Sequence, residues 1–219
     1  MAESRKLVTL GALLALLASC GAARAADDAR GAELFELCAQ CHGPDGGGMP
    51  SAGAPAIAGL PEWYVLAQLH DFKGGLRGLH PDDAPGLRMY PMSLALKSDE
   101  DVQAVARYVA SLPAVPTAQL VQGDAQKGAA LYTPCAACHG PDGGGNQATN
   151  APPLRGRSDW YLLSSLERFK AGIRGNNPQN VNASLMRGMA QMLTDQQAMK
   201  DVVAYIDSLT KQSAANTER

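Results

Sequence analysis

The stretch "CAQCHGPDGGG" occupies Cys38–Gly48, and the nearly identical stretch "CAACHGPDGGG" occupies Cys135–Gly145. The two are 97 residues apart, and with this offset residues 31–108 align with residues 128–205 without a gap. Self-similarity at a fixed offset is the mark of a repeated structural unit. The chain is therefore a tandem duplication of one domain, and each half is expected to perform the same chemistry.

Residues 1–25 have the features of a secretory signal peptide. A short basic start precedes the apolar run Leu7–Ala18, and Ala23–Ala25 forms a small-residue cleavage site. The run is too short for a membrane span, which needs ~20 apolar residues. In a second interpretation "LASC" (Leu17–Cys20) resembles a lipoprotein signal, with Cys20 as the lipid anchor. Both interpretations place the protein in the periplasm, with peripheral membrane association in the second.

Two domains are predicted at residues 26–112 and 123–219, separated by a linker at residues 113–122 that contains Pro113 and Pro116. Each half has about 90 residues, which is small for a self-sufficient apolar core. Aromatic residues make up only 5% of the chain. We therefore expect a group other than side chains to fill part of each core.

Charge is distributed unequally between the halves. Residues 26–118 hold 12 acidic and 6 basic residues, whereas residues 119–219 hold 8 acidic and 10 basic residues. The net charge of −4 after removal of the leader is not that of a nucleic-acid-binding protein. The mature chain is instead an electrostatic dipole.

Four of the five cysteines lie in two Cys-x-x-Cys-His motifs. These motifs comprise Cys38, Cys41 and His42 in the first half and Cys135, Cys138 and His139 in the second. Disulfides are one alternative in an exported protein. A thioredoxin-like pair requires a βαβ context, and a four-cysteine zinc site would have to bridge 93 residues. A histidine directly after the second cysteine is typical of covalent haem attachment, so two haem c groups are predicted.

The spacing suits this chemistry. Cysteines at positions i and i+3 lie on one face of a helix and can add to both vinyl groups of a haem. The next residue is then brought beneath the iron, so His42 and His139 are the predicted proximal ligands.

The second axial ligand must come from residues that obey the repeat. His70 and His80 do not, because their repeat partners are Glu167 and Asn177. Methionine is the remaining ligand type, and two pairs have the right offset: Met89 with Met186, and Met92 with Met189. The residues alone leave both pairs open.

Helical patterns dominate, and no alternating strand is evident. The predicted fold class is all-α, with about three main helices around the haem in each half. In the first half these cover residues 29–42, 61–75 and 98–112. The last helix begins at a Ser98-x-x-Asp101 capping pattern, for which Thr194-x-x-Gln197 is the expected counterpart.

The sequence resembles the dihaem class I cytochromes called cytochrome c4. Each half contains "WY-x-L-x-x-L-x-x-F-K-x-G-x-R-G" between the haem motif and a Met-x-x-Met element, and the similarity covers nearly the whole mature chain. In that family the axial methionine lies seven residues before a leucine that precedes the last helix. Since Leu96 and Leu193 occupy that position, the resemblance selects Met89 and Met186.

The same resemblance implies further roles near the haem. The carbonyl groups of Pro55 and Pro152 are expected to accept a hydrogen bond from the proximal histidines, which fixes the ring orientation. The first and last helices of each half should cross where Gly31 meets Tyr108 and where Gly128 meets Tyr205. Candidates for binding the haem propionates are Tyr64, Tyr161, Arg77 and Arg174, together with Trp63 and Trp160.

Ligation by histidine and methionine leaves no open position on iron and favours Fe(II). We therefore expect an electron carrier and not an enzyme. The family resemblance implies transfer from a quinol-oxidising cytochrome bc-type complex, or a dehydrogenase, to a terminal oxidase such as a cbb3-type oxidase. The alternatives are a dihaem peroxidase, a thiosulfate-oxidising dihaem enzyme, or the haem subunit of a membrane dehydrogenase.

Overall fold

The computed structural model describes residues 29–217, with side chains up to residue 213. The predicted leader and Cys20 lie outside these residues. No helix within the described range has both the length and the apolarity needed to cross a membrane.

Both halves have the same order of helices, which confirms the all-α prediction. The first half contains α1 (residues 29–42), a 3-10 turn (Pro50–Ala52), α2 (Glu62–Lys73), α3 (Ala84–Leu94) and α4 (Asp99–Ser111). The second half contains α5 (Ala125–His139), a 3-10 turn (Gln147–Thr149), α6 (Asp159–Lys170), α7 (Val181–Ala190) and α8 (Gln196–Thr217). The only β-structure in the described residues is one isolated bridge per half, Met49 with Ala54 and Asn146 with Ala151.

The first and last helices of each half cross at a glycine, as expected. A Cβ atom on Gly31 would overlap the carbonyl oxygen of Ala104 and lie 2.8 Å from Tyr108 Cβ. A Cβ atom on Gly128 would likewise overlap a backbone carbonyl and lie 2.9 Å from Tyr205 Cβ. Only glycine allows this close approach of α1 to α4 and of α5 to α8.

The last helices begin with different caps in the two halves. Ser98 Oγ accepts a hydrogen bond from the backbone N–H of Asp101 at 3.2 Å, as predicted for α4. The prediction for α8 is wrong by one residue, because Asp195 Oδ1 accepts from Ala198 N–H at 2.8 Å. Asp195 is the repeat partner of Ser98, and aspartate is as good an N-cap as serine.

A fourth helix in each half, α3 or α7, carries the methionine pair and was not predicted as a helix. Asp83 and Asn180 cap these helices, accepting from the N–H groups of Gly86 (3.2 Å) and Ala183 (3.0 Å). Pro91 within α3 obscures the helical pattern, since proline is rare in helix interiors.

Each half has its own small apolar core. The first consists of Phe35, Leu60, Val65, Leu69, Leu96, Val102, Val105, Ala106 and Val109. The second consists of Tyr132, Leu193, Ala198, Met199, Val202, Ile206 and Leu209. Cys38 packs against the first core and Cys135 against the second, so the haem motifs lie at the edge of the cores.

The segment between α4 and α5 is attached to the second half. The backbone N–H groups of Leu120 and Val121 both donate to Asp159 Oδ2 at 2.6 Å. Asp159 is the first residue of α6, so this carboxylate joins the linker to the second domain.

Candidate haem sites

The two haem motifs sit at the carboxyl ends of α1 and α5. None of the four motif cysteines is paired in a disulfide, and Cys38 and Cys135 are half-buried whereas Cys41 and Cys138 are exposed. Burial raises the pKa of Cys38 to about 11 and also raises the pKa of Cys135. Within the described residues no three histidine, cysteine or acidic side chains come close enough to hold a metal ion together.

The proximal histidines have the same environment in both halves. Nδ1 of His42 lies 2.8 Å from the carbonyl oxygen of Pro55, and Nδ1 of His139 lies 2.8 Å from that of Pro152. Because a carbonyl oxygen can only accept, Nδ1 carries the proton in each ring.

These imidazoles are also kept neutral. Burial lowers the pKa of both His42 and His139, and the hydrogen bond to the proline carbonyl opposes this effect only in part. A neutral ring protonated at Nδ1 presents an unshared electron pair at Nε2. Such a ring, oriented by a carbonyl on its other nitrogen, is a typical iron or zinc ligand.

The repeated glycines after each histidine shape the loop that delivers the proline. Gly48 has φ +86° and donates its N–H to the carbonyl of His42 at 2.7 Å. A Cβ atom on Gly48 would overlap Ala56 N. Gly145 occupies the equivalent place, with φ +80° and a 2.8 Å bond to the His139 carbonyl. The loop therefore needs glycine here to fold back against the histidine.

The methionine pairs lie on α3 and α7. Met89 and Met186 are half-buried, as is Met189, whereas Met92 is 38% exposed. Burial thus favours Met89 over Met92 in the first half but does not separate Met186 from Met189 in the second. The choice of Met89 and Met186 stays a prediction.

The halves meet through equivalent positions of the repeat. Asn180 Nδ2 donates to Asp71 Oδ2 at 2.8 Å, and Arg168 Nε lies 3.5 Å from Asp83 Oδ1. Asp71 and Arg168 are repeat partners, and so are Asp83 and Asn180. The two halves are therefore related by an approximate twofold axis. One end of their interface has the Asn180–Asp71 hydrogen bond and the other end has the Arg168–Asp83 ion pair.

Two half-buried arginines lie between these contacts. The guanidinium carbons of Arg77 and Arg174 lie 4.5 Å from the ring centroids of Phe72 and Phe169. Arg77 donates to Tyr161 OH across the interface at 2.8 Å. In the described part of the chain, Nε of Arg77 and Nε of Arg174 are buried without a hydrogen-bond partner. A cavity of about 350 Å³ between the halves is lined by both arginines.

The charge of this cluster fits the carboxylates of haem. Burial alone raises the pKa of the Tyr161 phenol, but the positive charges of Arg77 and Arg174 outweigh it and lower that pKa to about 7. The hydrogen bonds of the two guanidinium groups go to neutral side chains, Gln68, Tyr161 and Ser165, and not to a carboxylate, so their positive charge is left without a bonded counter-charge. Two buried N–H donors without acceptors, beside excess positive charge, suit anionic groups such as propionates.

The structure brings three of the six predicted propionate-binding residues into this cluster, namely Arg77, Arg174 and Tyr161. Tyr64 packs against the first core and interacts with the charge of Arg77. Sequence reasoning missed the contacts that join the halves, made by Gln68, Asp71, Asp83, Arg168 and Asn180. Their identities differ between the repeats, so a search for repeated residues passes over them.

Comparison with known proteins agrees with this architecture. The Cytochrome c family model matches residues 29–113 and 125–210. Cytochrome c4 of Azotobacter vinelandii is 34% identical over 224 residues, which cover 94% of this chain and 99% of that protein. The thiosulfate dehydrogenase electron acceptor of Stutzerimonas stutzeri is 36% identical over 164 residues, covering 70% of this chain and 72% of that protein.

Solved structures show the same fold. Reduced cytochrome c4 from Pseudomonas stutzeri superposes with a TM-score of 0.62 at 30% identity, covering 80% of this chain and 95% of that one. A thiosulfate dehydrogenase from Marichromatium purpuratum superposes with a TM-score of 0.66 at 33% identity, but the chain spans only 39% of that longer protein. The chain belongs to the cytochrome c4 family, and it binds two covalent haem c groups through its paired Cys-x-x-Cys-His motifs.

Proposed function

We propose that this dihaem electron-transfer protein carries single electrons in the periplasm, from a quinol-oxidising cytochrome bc-type complex or a dehydrogenase to a terminal oxidase such as a cbb3-type oxidase. The observation that carries the proposal is the buried, neutral histidine held by a proline carbonyl in each half. A methionine-bearing helix accompanies it in both halves. Two centres of the same ligand type suit electron transfer and leave no position for a substrate.

In this proposal His42 and Met89 bind the first iron, and His139 and Met186 bind the second. The bound haem supplies a one-electron couple, and a thioether ligand favours its reduced state. The protein holds the histidine and methionine ligands in fixed positions. Pro55 and Pro152 fix the imidazole planes, so that the ligands need little rearrangement when the charge on iron changes.

Arg77, Arg174, Tyr161 and Tyr64 are proposed to hold the haem carboxylates at the interface between the halves. The free Nε groups of the two arginines and the excess positive charge support this assignment.

The test is a spectrum and a redox titration of the mature protein. Two haems per chain by intact mass, and a weak iron–methionine band near the red end of the spectrum from both ferric haems, are the expected results. A single haem, or one haem that lacks the methionine band and binds cyanide rapidly, would contradict the carrier function and favour an enzyme.

Export processing belongs to the same proposal. The leader is residues 1–25, and the mature domains are residues 26–112 and 123–219 with the linker at residues 113–122. Intact mass separates the two routes, because cleavage gives Ala26 as the first residue, whereas lipidation gives an acylated Cys20.

The partners are proposed to dock differently on the two halves. Beside the first haem motif the carboxylates of Glu36 and Asp45 are exposed. The equivalent positions carry Thr133 and Asp142, and Asp142 pairs with Arg155. The first half therefore suits a partner with a basic surface, because electrostatic complementarity speeds association and fixes orientation.

A second candidate for the electron donor is a thiosulfate dehydrogenase. It is favoured by the 36% identity with the Stutzerimonas stutzeri protein that is named as the electron acceptor of such an enzyme. Mixing the oxidised protein with a thiosulfate dehydrogenase and thiosulfate, and separately with a cytochrome bc-type complex and quinol, distinguishes the donors by the rate of haem reduction.

A further inference from the structure

One amide group joins the two half-buried arginines across the interface. Gln68 Oε1 accepts a hydrogen bond from Arg77 Nη1 of its own half and from Arg174 Nη2 of the other half, the latter at 3.1 Å. The guanidinium groups are also stacked on Phe72 and Phe169. Stacking and the shared carbonyl oxygen together hold both guanidinium groups in place.

The orientation of that amide is itself determined. Gln68 Nε2 donates to Asp71 Oδ2 at 3.4 Å, and a carboxylate can only accept, so Oε1 must face the arginines. Asp71 Oδ2 is held in turn by Asn180 of the second half. The amide is therefore positioned by one residue from each half.

The second half has no equivalent of this amide. The repeat partner of Gln68 is Ser165, whose hydroxyl oxygen lies 3.5 Å from Arg174 Nη1 in the same half. Serine is too short to reach across the interface, so Arg174 depends on a side chain of the first half. Arg77 is held by Gln68 of its own half and by Tyr161 of the other half, so Gln68 is the side chain that both arginines share.

We propose that Gln68 is a positioning residue that sets the reduction potentials of both haems, the second one from the opposite half of the chain. This inference rests on the proposed function, because it takes the haem carboxylates to lie at the free Nε groups of Arg77 and Arg174. A nearby positive charge favours Fe(II) over Fe(III), and its effect depends on its distance from the iron. Without the amide oxygen, both guanidinium groups lose their shared acceptor and are no longer held in these positions, so less positive charge is kept beside the haem carboxylates.

The test is a redox titration of Gln68→Met, which keeps the side-chain length and removes the acceptor. Both reduction waves should move to lower potential, each by about 28 mV. That shift is about a threefold change in the reduction equilibrium, at ~59 mV for a tenfold change. Gln68→Ser introduces the residue that the second half has at this position. It is the second variant, for use if Gln68→Met does not accumulate, and it should lower both potentials in the same way. Gln103→Met, on an exposed position of α4, is the matched control and should move neither wave.

Ser165→Ala completes the set and should move one wave at most, since Ser165 touches one arginine only. If Gln68→Met or Gln68→Ser moves one wave only, moves neither, or raises either potential, the inference is wrong. That failure is distinct from failure of the proposed function, in which the unaltered protein itself would lack two methionine-ligated haems.

Discussion

Arg168 of the second half pairs with Asp83 of the first at 3.5 Å, and Asp83 is only 3% exposed. The same carboxylate caps α3 by accepting from Gly86 N–H. One side chain thus fixes both the start of the methionine-bearing helix and its contact with the other half.

Removal of the arginine should therefore cost stability. Breaking a buried pair costs about 3–5 kcal/mol, and since the Arg168 side chain is 22% exposed we expect Arg168→Ala to cost about 2–3 kcal/mol. Urea unfolding of the haem-loaded protein measures the change. Arg155→Ala, which breaks the more exposed pair with Asp142, is the control and should cost no more than about 1 kcal/mol. Equal effects of the two substitutions would show that the interface pair has no special role.

Met89→His should convert the first haem to two-histidine ligation. The reduction potential of that haem should fall by well over ~59 mV, the shift that corresponds to a tenfold change in the reduction equilibrium. The reason is that imidazole is a stronger donor to Fe(III) than a thioether. The second haem should keep its potential and its methionine band. Met192→His, at a 57% exposed position, is the control. If Met92→His lowers the potential and Met89→His does not, the ligand assignment is wrong.

Cys38→Ala should leave the first haem attached by one thioether at most and weaken the folding of that half. Each core has only a few large apolar side chains, so the haem is needed as part of it. Mass spectrometry gives the haem count, and the visible spectrum on heating gives the unfolding of each half. Cys135→Ala should produce the same change in the second half. Unchanged haem content and unfolding in both variants would contradict this account of the core.

Asp101→Asn tests the acid stability of the first half. Burial raises the pKa of Asp101, but the hydrogen bonds from Arg30 and from the Lys97 backbone outweigh it and hold the pKa below its ordinary value. The carboxylate therefore stabilises the fold above the ordinary aspartate pKa of ~3.9, and this contribution is lost as the pH falls through the lower, folded-state pKa. The unfolding midpoint of Asp101→Asn should fall less steeply with acid than that of the unaltered protein. Parallel acid profiles would contradict the expectation.

Partner docking is tested by neutralising exposed acids of the first half, Asp82, Asp99 and Glu100. Asp83 and Asp101 are left unchanged, because they are buried in pairs with Arg168 and Arg30. We expect electron exchange with one partner to slow about tenfold at low salt, and the difference to disappear as screening increases. Stopped-flow reduction and oxidation measure both steps. Equal slowing with both partners would show that the charge asymmetry serves solubility alone.

Most of what repeats in this protein could be predicted from the sequence. A single offset was enough to find the haem motifs with their histidines, and the family resemblance added the roles of the prolines and of the glycines at which helices cross. The helical form of α3 was missed because Pro91 interrupts its pattern. The cap of α8 was misplaced because Thr194 looked like the counterpart of Ser98, whereas the offset assigns that place to Asp195.

The contacts between the halves could not be found in the same way. Gln68 faces Ser165 in the alignment, and Asp71 faces Arg168, so each looks like an ordinary surface difference. The role of these residues depends on which side chains of the other half contact them in the folded protein. Burial of Asp83, for example, has no sequence signal beyond its place before a helix.

The approximate twofold axis has a consequence for how chains assemble. Two first halves that met through this surface would place Asp71 opposite Asp83, carboxylate against carboxylate. Two second halves would place Arg168 opposite Asn180, without an opposite charge. Only a first half facing a second half obtains both the Asp71–Asn180 hydrogen bond and the Arg168–Asp83 ion pair. Divergence at two positions of a duplicated domain has therefore made the halves selective for each other, and it disfavours pairing of like with like between neighbouring molecules.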